Sequence, residues 1–247
     1  MTVRAVTFDY WDTLYAYGMM PERVAVRRTA VHRMLGAIGH DISEDDLAVL
    51  YSAATEEAIR WWRAQRGYTA QERIRWMLEQ LAIERPADCE HVARAVRAVD
   101  DALLDYPPAL LPGAADTVHA VAGAFGLGIV SDTGFASGTA QNRILERDGL
   151  RDSFVVTVYS VDIGHAKPHP EPFAAAVRAL GVAPAEIVHV GDNERTDVLG
   201  ALAAGMRAVR IDILRESGPS AAEFVARSHE ELAGYLLTLR ERAPRGA

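Results

Sequence analysis

A single cysteine, Cys89, stands in the 247 residues. One thiol rules out an intrachain disulfide and offers no thiolate cluster for zinc. Long apolar runs are missing too, and none approaches the ~20 residues a helix needs to cross a bilayer. The opening Met1-Thr2-Val3-Arg4-Ala5-Val6-Thr7-Phe8-Asp9 lacks the apolar core of a signal peptide. The expectation is a cytoplasmic protein with no membrane partner. Positive charge is also scarce: 26 Lys and Arg against 34 Asp and Glu give a net −8. That balance excludes nucleic acid as the expected main partner, because such binders need a basic footprint. A small anionic substrate stays open, since it needs only a local positive site. No internal repeat and no low-complexity tract interrupts the chain. The polar tail from Arg240 to Ala247 reads as frayed.

What is present is an ordinary globular composition, 49% hydrophobic and 24% charged, long enough for a core domain plus an insert. Val3 to Phe8 is a β-prone apolar run with no polar face, as in a strand buried on both sides of a parallel sheet. Similar runs follow at Leu127 to Val130, Phe154 to Val158, Ile187 to Val190 and Ala208 to Ile211. Helical patterns separate them over about 114–124, 138–148, 171–180 and 195–204. This alternation predicts an α/β fold, a doubly wound, parallel, Rossmann-like sheet with right-handed crossovers. A short strand near Phe224-Val225 and a helix after Ser228 close the chain, with Ser228 and Glu231 in a capping-box pattern.

Residues of about 20–105 read differently. Four helices fit there with no strand between them. Pro21 suits a first helical turn, Ser43 with Asp46 and Thr69 with Glu72 are N-terminal capping patterns, Pro86 opens the fourth helix and Pro107-Pro108 ends it. The expected division is a core of 1–19 and 106–247 with an α-helical cap of 20–105. An insert after the first strand lies over the carboxyl ends of the strands, where ligands bind in open α/β sheets.

Four stretches fall at predicted strand tips: Phe8-Asp9-Tyr10-Trp11-Asp12-Thr13-Leu14, Ile129-Val130-Ser131-Asp132-Thr133, Gly164-His165-Ala166-Lys167-Pro168-His169-Pro170, and Val190-Gly191-Asp192-Asn193-Glu194-Arg195-Thr196-Asp197. A strand-tip carboxylate such as Asp9 is suited to nucleophilic catalysis. An anion attacking a phosphate ester meets repulsion, which hard-oxygen-bound Mg²⁺ relieves. Asp192 and Asp197 flank a short turn able to hold such a metal against Asp9. Ser131 offers a hydroxyl and Lys167 a point charge to a phosphoryl group.

The order and spacing resemble the four motifs of the haloacid dehalogenase-like hydrolase superfamily, across nearly all the chain outside the insert. The resemblance implies Asp9 as nucleophile, Thr13 as the first motif's hydroxyl, Ser131 in the second motif and Lys167 in the third. It implies a Mg²⁺ site of Asp9, the Trp11 backbone carbonyl, Asp192 and Asp197, and makes the insert the family's cap. The implied activity is hydrolysis of a small phosphorylated metabolite through an aspartyl-phosphate. One departure stands out. Phosphatases of the family carry a general acid two residues after the nucleophile, where this chain has Trp11; Asp12 lies one residue further on. A dehalogenase-type hydrolase working through an aspartyl ester also lacks that acid. Its fourth motif, however, lacks the paired aspartates. A catalytically impaired binding protein of the same fold is the remaining alternative, opposed by the intact Asp9, Lys167, Asp192 and Asp197.

Other residues carry two readings. Trp11 is either packing beneath the insert or a wall of the substrate pocket, and Asp132 is positioned to line that pocket. Trp61-Trp62, flanked by Arg60 and Arg63, can turn at most one Trp and one Arg to the pocket, since neighbours on a helix point apart, and reads chiefly as helix packing with a solvated face. His165, His169 and His189 lack metal-ligand spacing, and His189, inside a strand, reads as structural. Asp162 has no assigned role.

Overall fold

The computed structural model describes residues 2–18, 20–84, 89–214 and 218–241. The sheet begins with β1 (Ala5–Phe8). The chain then leaves it for four helices, α1 (Pro21–Ala37), α2 (Glu44–Arg63), α3 (Ala70–Gln80) and α4 (Glu90–Asp105). It returns through α5 (Ala114–Ala122), β2 (Gly126–Ser131), α6 (Gly138–Arg147) and β3 (Phe154–Tyr159). The short α7 (Ser160–Ile163), then α8 (Pro170–Leu180), β4 (Ile187–Gly191), α9 (Leu199–Ala203), β5 (Arg207–Ile211), β6 (Phe224–Ala226) and α10 (His229–Glu241) complete it.

All six strands are parallel, in the order β3-β2-β1-β4-β5-β6. The order reverses between β1 and β4, so a crevice opens there at the carboxyl ends, the usual seat of ligands in such sheets. The apolar runs alternate between two cores because successive strand residues point to opposite faces. Val6, Phe8, Ile129, Val190 and Val209 pack with α5, α6 and α10 on one side. Ala5, Val130, Ile187 and Ala208 pack with Phe173 and Ala176 of α8 and Ala201 of α9 on the other. Burial on both sides explains why these strands show no polar face.

The inserted helices close on a core of their own. Val31, Met34 and Leu35 of α1, Leu47 and Leu50 of α2, Met77 and Leu78 of α3, and Val92 and Ala95 of α4 form it. Pro21 opens α1. The Ser43 hydroxyl accepts from the Asp46 amide, and Thr69 with Glu72 forms a full capping box. Pro86 lies outside the described residues; α4 starts at Glu90 with Cys89 as its N-cap. The expected helix over 195–204 is instead a π-turn (Glu194–Val198) running into α9. Asn193 Oδ1 accepts from the amides of Arg195 and Thr196 and starts that turn tightly. No helix among the described residues is long and apolar enough to cross a membrane.

The insert touches the sheet domain away from its two chain connections as well. Between α2 and α3, the Gly67 amide donates to the Gly164 carbonyl (3.0 Å). The Ala166 amide donates to the Gln65 carbonyl (2.9 Å), and Arg66 bridges His165 as in a strand pair. Any β-carbon at Gly67 would collide with the Ser160 carbonyl, so only glycine allows this approach.

Candidate active site

Four segments meet at the crevice. Asp9 ends β1 and its amide donates to the Val190 carbonyl (2.8 Å), which fixes it beside the end of β4. Lys167 follows β3 and α7. Asp192 and Asp197 follow β4, and an added β-carbon at Gly191 would run into the Asp197 side chain, so that position needs glycine. The Lys167 ammonium lies at the centre. It donates to Asp9 Oδ1 (2.7 Å), Asp197 Oδ1 (2.5 Å) and the Val130 carbonyl (2.9 Å), which satisfies its three protons. Asp9, Lys167 and Asp197 are all buried.

Asp9, Asp192 and Asp197 each offer a carboxylate oxygen within 4.8 Å of the others'. Three carboxylates gather beside the Lys167 ammonium. Burial pushes the Asp9 carboxyl well above the usual carboxylate range, and Asp197 and Asp192 add to the push despite Lys167. Burial acts on Asp197 in the same sense, but Lys167 and His189 outweigh it and hold that group below the range. Lys167 is raised in turn: burial opposes its charge, and Asp197 and Asp9 more than restore it. A donor set of three carboxylate oxygens is chemically matched to a hard divalent cation of the Mg²⁺ type.

The remaining residues singled out in the sequence fall into two groups. Trp11, Asp12 and Asp132 line a cavity of about 440 Å³ together with Asp9, Lys167, Asp192 and Asp197. Thr13 and Ser131 are not on its wall; both are buried, and their hydroxyl oxygens have no partner. Asp12 adopts a left-handed backbone (φ 53°) and its carboxylate accepts from the Tyr17 amide (2.7 Å), so the turn holds it beside the entrance. The Asp132 carboxyl accepts from the Lys167 amide (2.9 Å) and is raised by its burial.

One reading needs correction. Trp62 is not helix packing with a solvated face. Its indole reaches out of α2 to line the cavity and donates to Asp132 Oδ2 (2.8 Å), while Arg195 stacks on its ring. Trp61 packs against Tyr68 within the insert, as expected of its neighbour position. His189 is buried inside β4, in keeping with its structural reading. Its Nδ1 is 2.9 Å from the Thr7 hydroxyl and its Nε2 is 3.3 Å from Asp197 Oδ1. A carboxylate can only accept, so Nε2 carries the proton and His189 orients Asp197. Tyr17, Tyr68 and Asn193 also line the cavity. Asn193 falls within the fourth strand-tip stretch, whereas the loop positions of Tyr17 and Tyr68 gave no pattern to find them by.

The family model described as haloacid dehalogenase-like hydrolase matches residues 3–205. The chain belongs to the haloacid dehalogenase-like hydrolases. This hydrolase is 32% identical over 213 residues to the glyceraldehyde 3-phosphate phosphatase of Methanopyrus kandleri, covering 85% of this chain and 84% of that protein. In fold it is similar to a HAD phosphatase from Thermococcus onnurineus, with a TM-score of 0.66 at 23% identity over 95% of this chain and 98% of that one. It is equally similar to the 2-haloacid dehalogenase of Pseudomonas syringae pv. tomato, with a TM-score of 0.67 at 22% identity over 96% and 99%. The fold therefore does not separate phosphate from halide chemistry, and the side chains at the crevice have to.

Proposed function

We propose that this hydrolase is a Mg²⁺-dependent phosphatase of small phosphorylated metabolites that works through an aspartyl-phosphate on Asp9. The observation that carries the reading is the charge set at the crevice: Asp9, Asp192 and Asp197 within 4.8 Å of one another around the single ammonium of Lys167. A halide-displacing site handles a less charged substrate and needs no such cluster of carboxylates. The name of the Methanopyrus relative supports the same choice.

Asp9, Asp192, Asp197 and the Trp11 carbonyl would hold the metal. Bound Mg²⁺ supplies charge neutralisation to the carboxylates and to the phosphoryl oxygens. Lys167 aims Asp9 and, together with a bound cation, would favour its ionised form against the burial, and then shares its charge with the incoming phosphoryl oxygens. Asp9 attacks phosphorus, the ester oxygen leaves with its electron pair, and water later cleaves the acyl phosphate to return Asp9 and inorganic phosphate. The buried hydroxyls of Thr13 and Ser131 are donors without partners until a phosphoryl group arrives. The inserted helices act as a cap, with Trp62 and Tyr68 limiting water over the site.

A panel of phosphate esters and 2-haloacids, assayed with Mg²⁺ and with excess chelator, tests this. The expected result is phosphate release that vanishes in chelator and returns with Mg²⁺. Chloride release that ignores the chelator would replace the reading with dehalogenation.

Trp11 adds a second expectation. A positioned general acid is worth roughly 10²–10⁴-fold, and an indole supplies none. Aryl and acyl phosphates, whose leaving groups are weak bases, should outpace alkyl phosphates. A plot of log kcat against leaving-group pKa is therefore expected to fall steeply. A flat plot would mean that another side chain donates the proton, and Asp132 and Asp12, both on the cavity wall, are the residues to replace first.

A further inference from the structure

Next to the active-site cavity lies a smaller one of about 50 Å³, walled by Trp11, Tyr17, Gly18, Arg23, Arg27, Phe135 and Gln141 among others. Trp11, Tyr17 and Gly134 line both cavities, so the two are neighbours across the Trp11 ring. Its polar groups are unusual. Arg23 and Arg27 on α1 are buried, as is Arg73 on α3. None forms an ion pair with a carboxylate among the described residues. Arg23 donates to the Gly18 carbonyl, and Arg73 donates to Thr55 and the Tyr51 carbonyl. Arg27 and Arg73 lie over the ring of Phe135, 5.3 and 4.1 Å from its centroid. Arg23 Nε, Arg27 Nε, Trp11 Nε1 and Gln141 Oε1 are buried without any partner around this one cavity. Burial pulls the pKa of Arg23 and Arg27 down, and at Arg27 the neighbouring Arg23 and Arg73 add repulsion. Clustered, desolvated guanidinium groups without counter-charge are costly to a fold. A group that brings negative charge to the cavity removes that cost.

We propose that this cavity seats a second anionic group of the substrate, a carboxylate, held by Arg23 and Arg27 with the Trp11 indole N–H as a further donor. The cavity has room for one or two water-sized groups, which suits two carboxylate oxygens better than the four oxygens of a second phosphate. Guanidinium and carboxylate match as a planar fork. The substrate class is then a short phosphorylated carboxylic acid, with its phosphoryl end at Asp9 and its carboxylate beyond Trp11. Trp11 occupies the position where the family's phosphatases carry an acid and borders both seats. This inference rests on the phosphatase reading above.

Calorimetric titration of the Mg²⁺-loaded protein tests it with uncleavable ligands. Phosphonoacetate, 3-phosphonopropionate and 4-phosphonobutyrate are compared with methyl-, ethyl- and propylphosphonate. One acid of the series is expected to bind about 10- to 100-fold more tightly than its carboxylate-free partner, as charge-assisted hydrogen bonds allow. Arg27→Met and Arg23→Met should each shrink that advantage, while the ligand-free variants melt at a higher temperature than the parent. A role confined to packing predicts the opposite, a lower melting temperature and an unchanged advantage. No advantage at any chain length, or one that survives both substitutions, overturns the inference. If p-nitrophenyl phosphate is hydrolysed normally in that case, the phosphatase reading stands and only the carboxylate seat falls. If it is not hydrolysed and no phosphonate binds, both fall together.

Discussion

Asp9→Asn is expected to lower kcat by roughly 10⁴–10⁶-fold, the scale on which loss of a covalent nucleophile is felt, while the protein stays folded. The amide keeps the shape of the carboxylate but cannot form the acyl phosphate. Folding should not suffer. Asp9 is buried, yet its carboxyl is crowded by Asp192 and Asp197, so removing its charge relieves repulsion. Lys167 keeps Asp197 and the Val130 carbonyl as partners. Circular dichroism and the melting temperature should stay close to those of the parent. Acid-quenched protein mixed with a ³²P-labelled substrate should carry label in the parent and none in the variant. Turnover retained by a well-folded Asp9→Asn protein would remove Asp9 from the reaction.

Lys167→Met should be the opposite kind of variant, damaged in both activity and stability. Methionine matches the length of the lysine stem but leaves Asp9 and Asp197 buried without their counter-charge. Breaking a buried pair by removing one partner costs about 3–5 kcal/mol, a large share of the 5–15 kcal/mol that holds a typical domain. The urea midpoint should fall accordingly. Mg²⁺ should raise it again in the variant, and by more than in the parent, because binding to the native state alone adds stability by mass action. A Lys167→Met protein as stable as the parent, and indifferent to Mg²⁺, would mean that the three carboxylates are neutralised in some other way.

Much of this site is legible in the sequence because parallel strands bring their tips together whatever lies between them. Val3 to Phe8 and Ile187 to Val190 read as strands from composition alone. Once they pair as β1 and β4, Asp9 and Asp192 must face each other across the crevice. What the sequence hides is tertiary. Trp62 and Trp61 are chemically alike, and only the placement of α2 over the sheet decides that Trp62 meets Asp132. The π-turn at Glu194–Val198 depends on how Asn193 caps it, which a periodic pattern does not record. The arginines left a fainter trace. In α1 the buried positions run Arg23, Arg27, Val31, Met34 and Leu35, and in α3 Arg73, Ile74, Met77 and Leu78. In both helices an arginine stands in register with the apolar stripe, unlike the exposed Arg33 further along α1. Spacing that places a guanidinium among core positions was the signal available.

The contact of Gln65, Arg66 and Gly67 with Gly164, His165 and Ala166 bears on how such a protein can be re-engineered. Swapping inserts between relatives to exchange substrate range treats the helices as a module joined at two points. Here a graft that cuts only near residues 20 and 105 would strip the partner from the Ala166 amide, one residue before Lys167. The replacement would have to bring its own glycine-bearing loop to the same spot, or the new specificity would arrive with a displaced lysine. Transplanting the 65–67 loop together with the 164–166 segment as one unit is therefore the minimal exchange that keeps the chemistry in place.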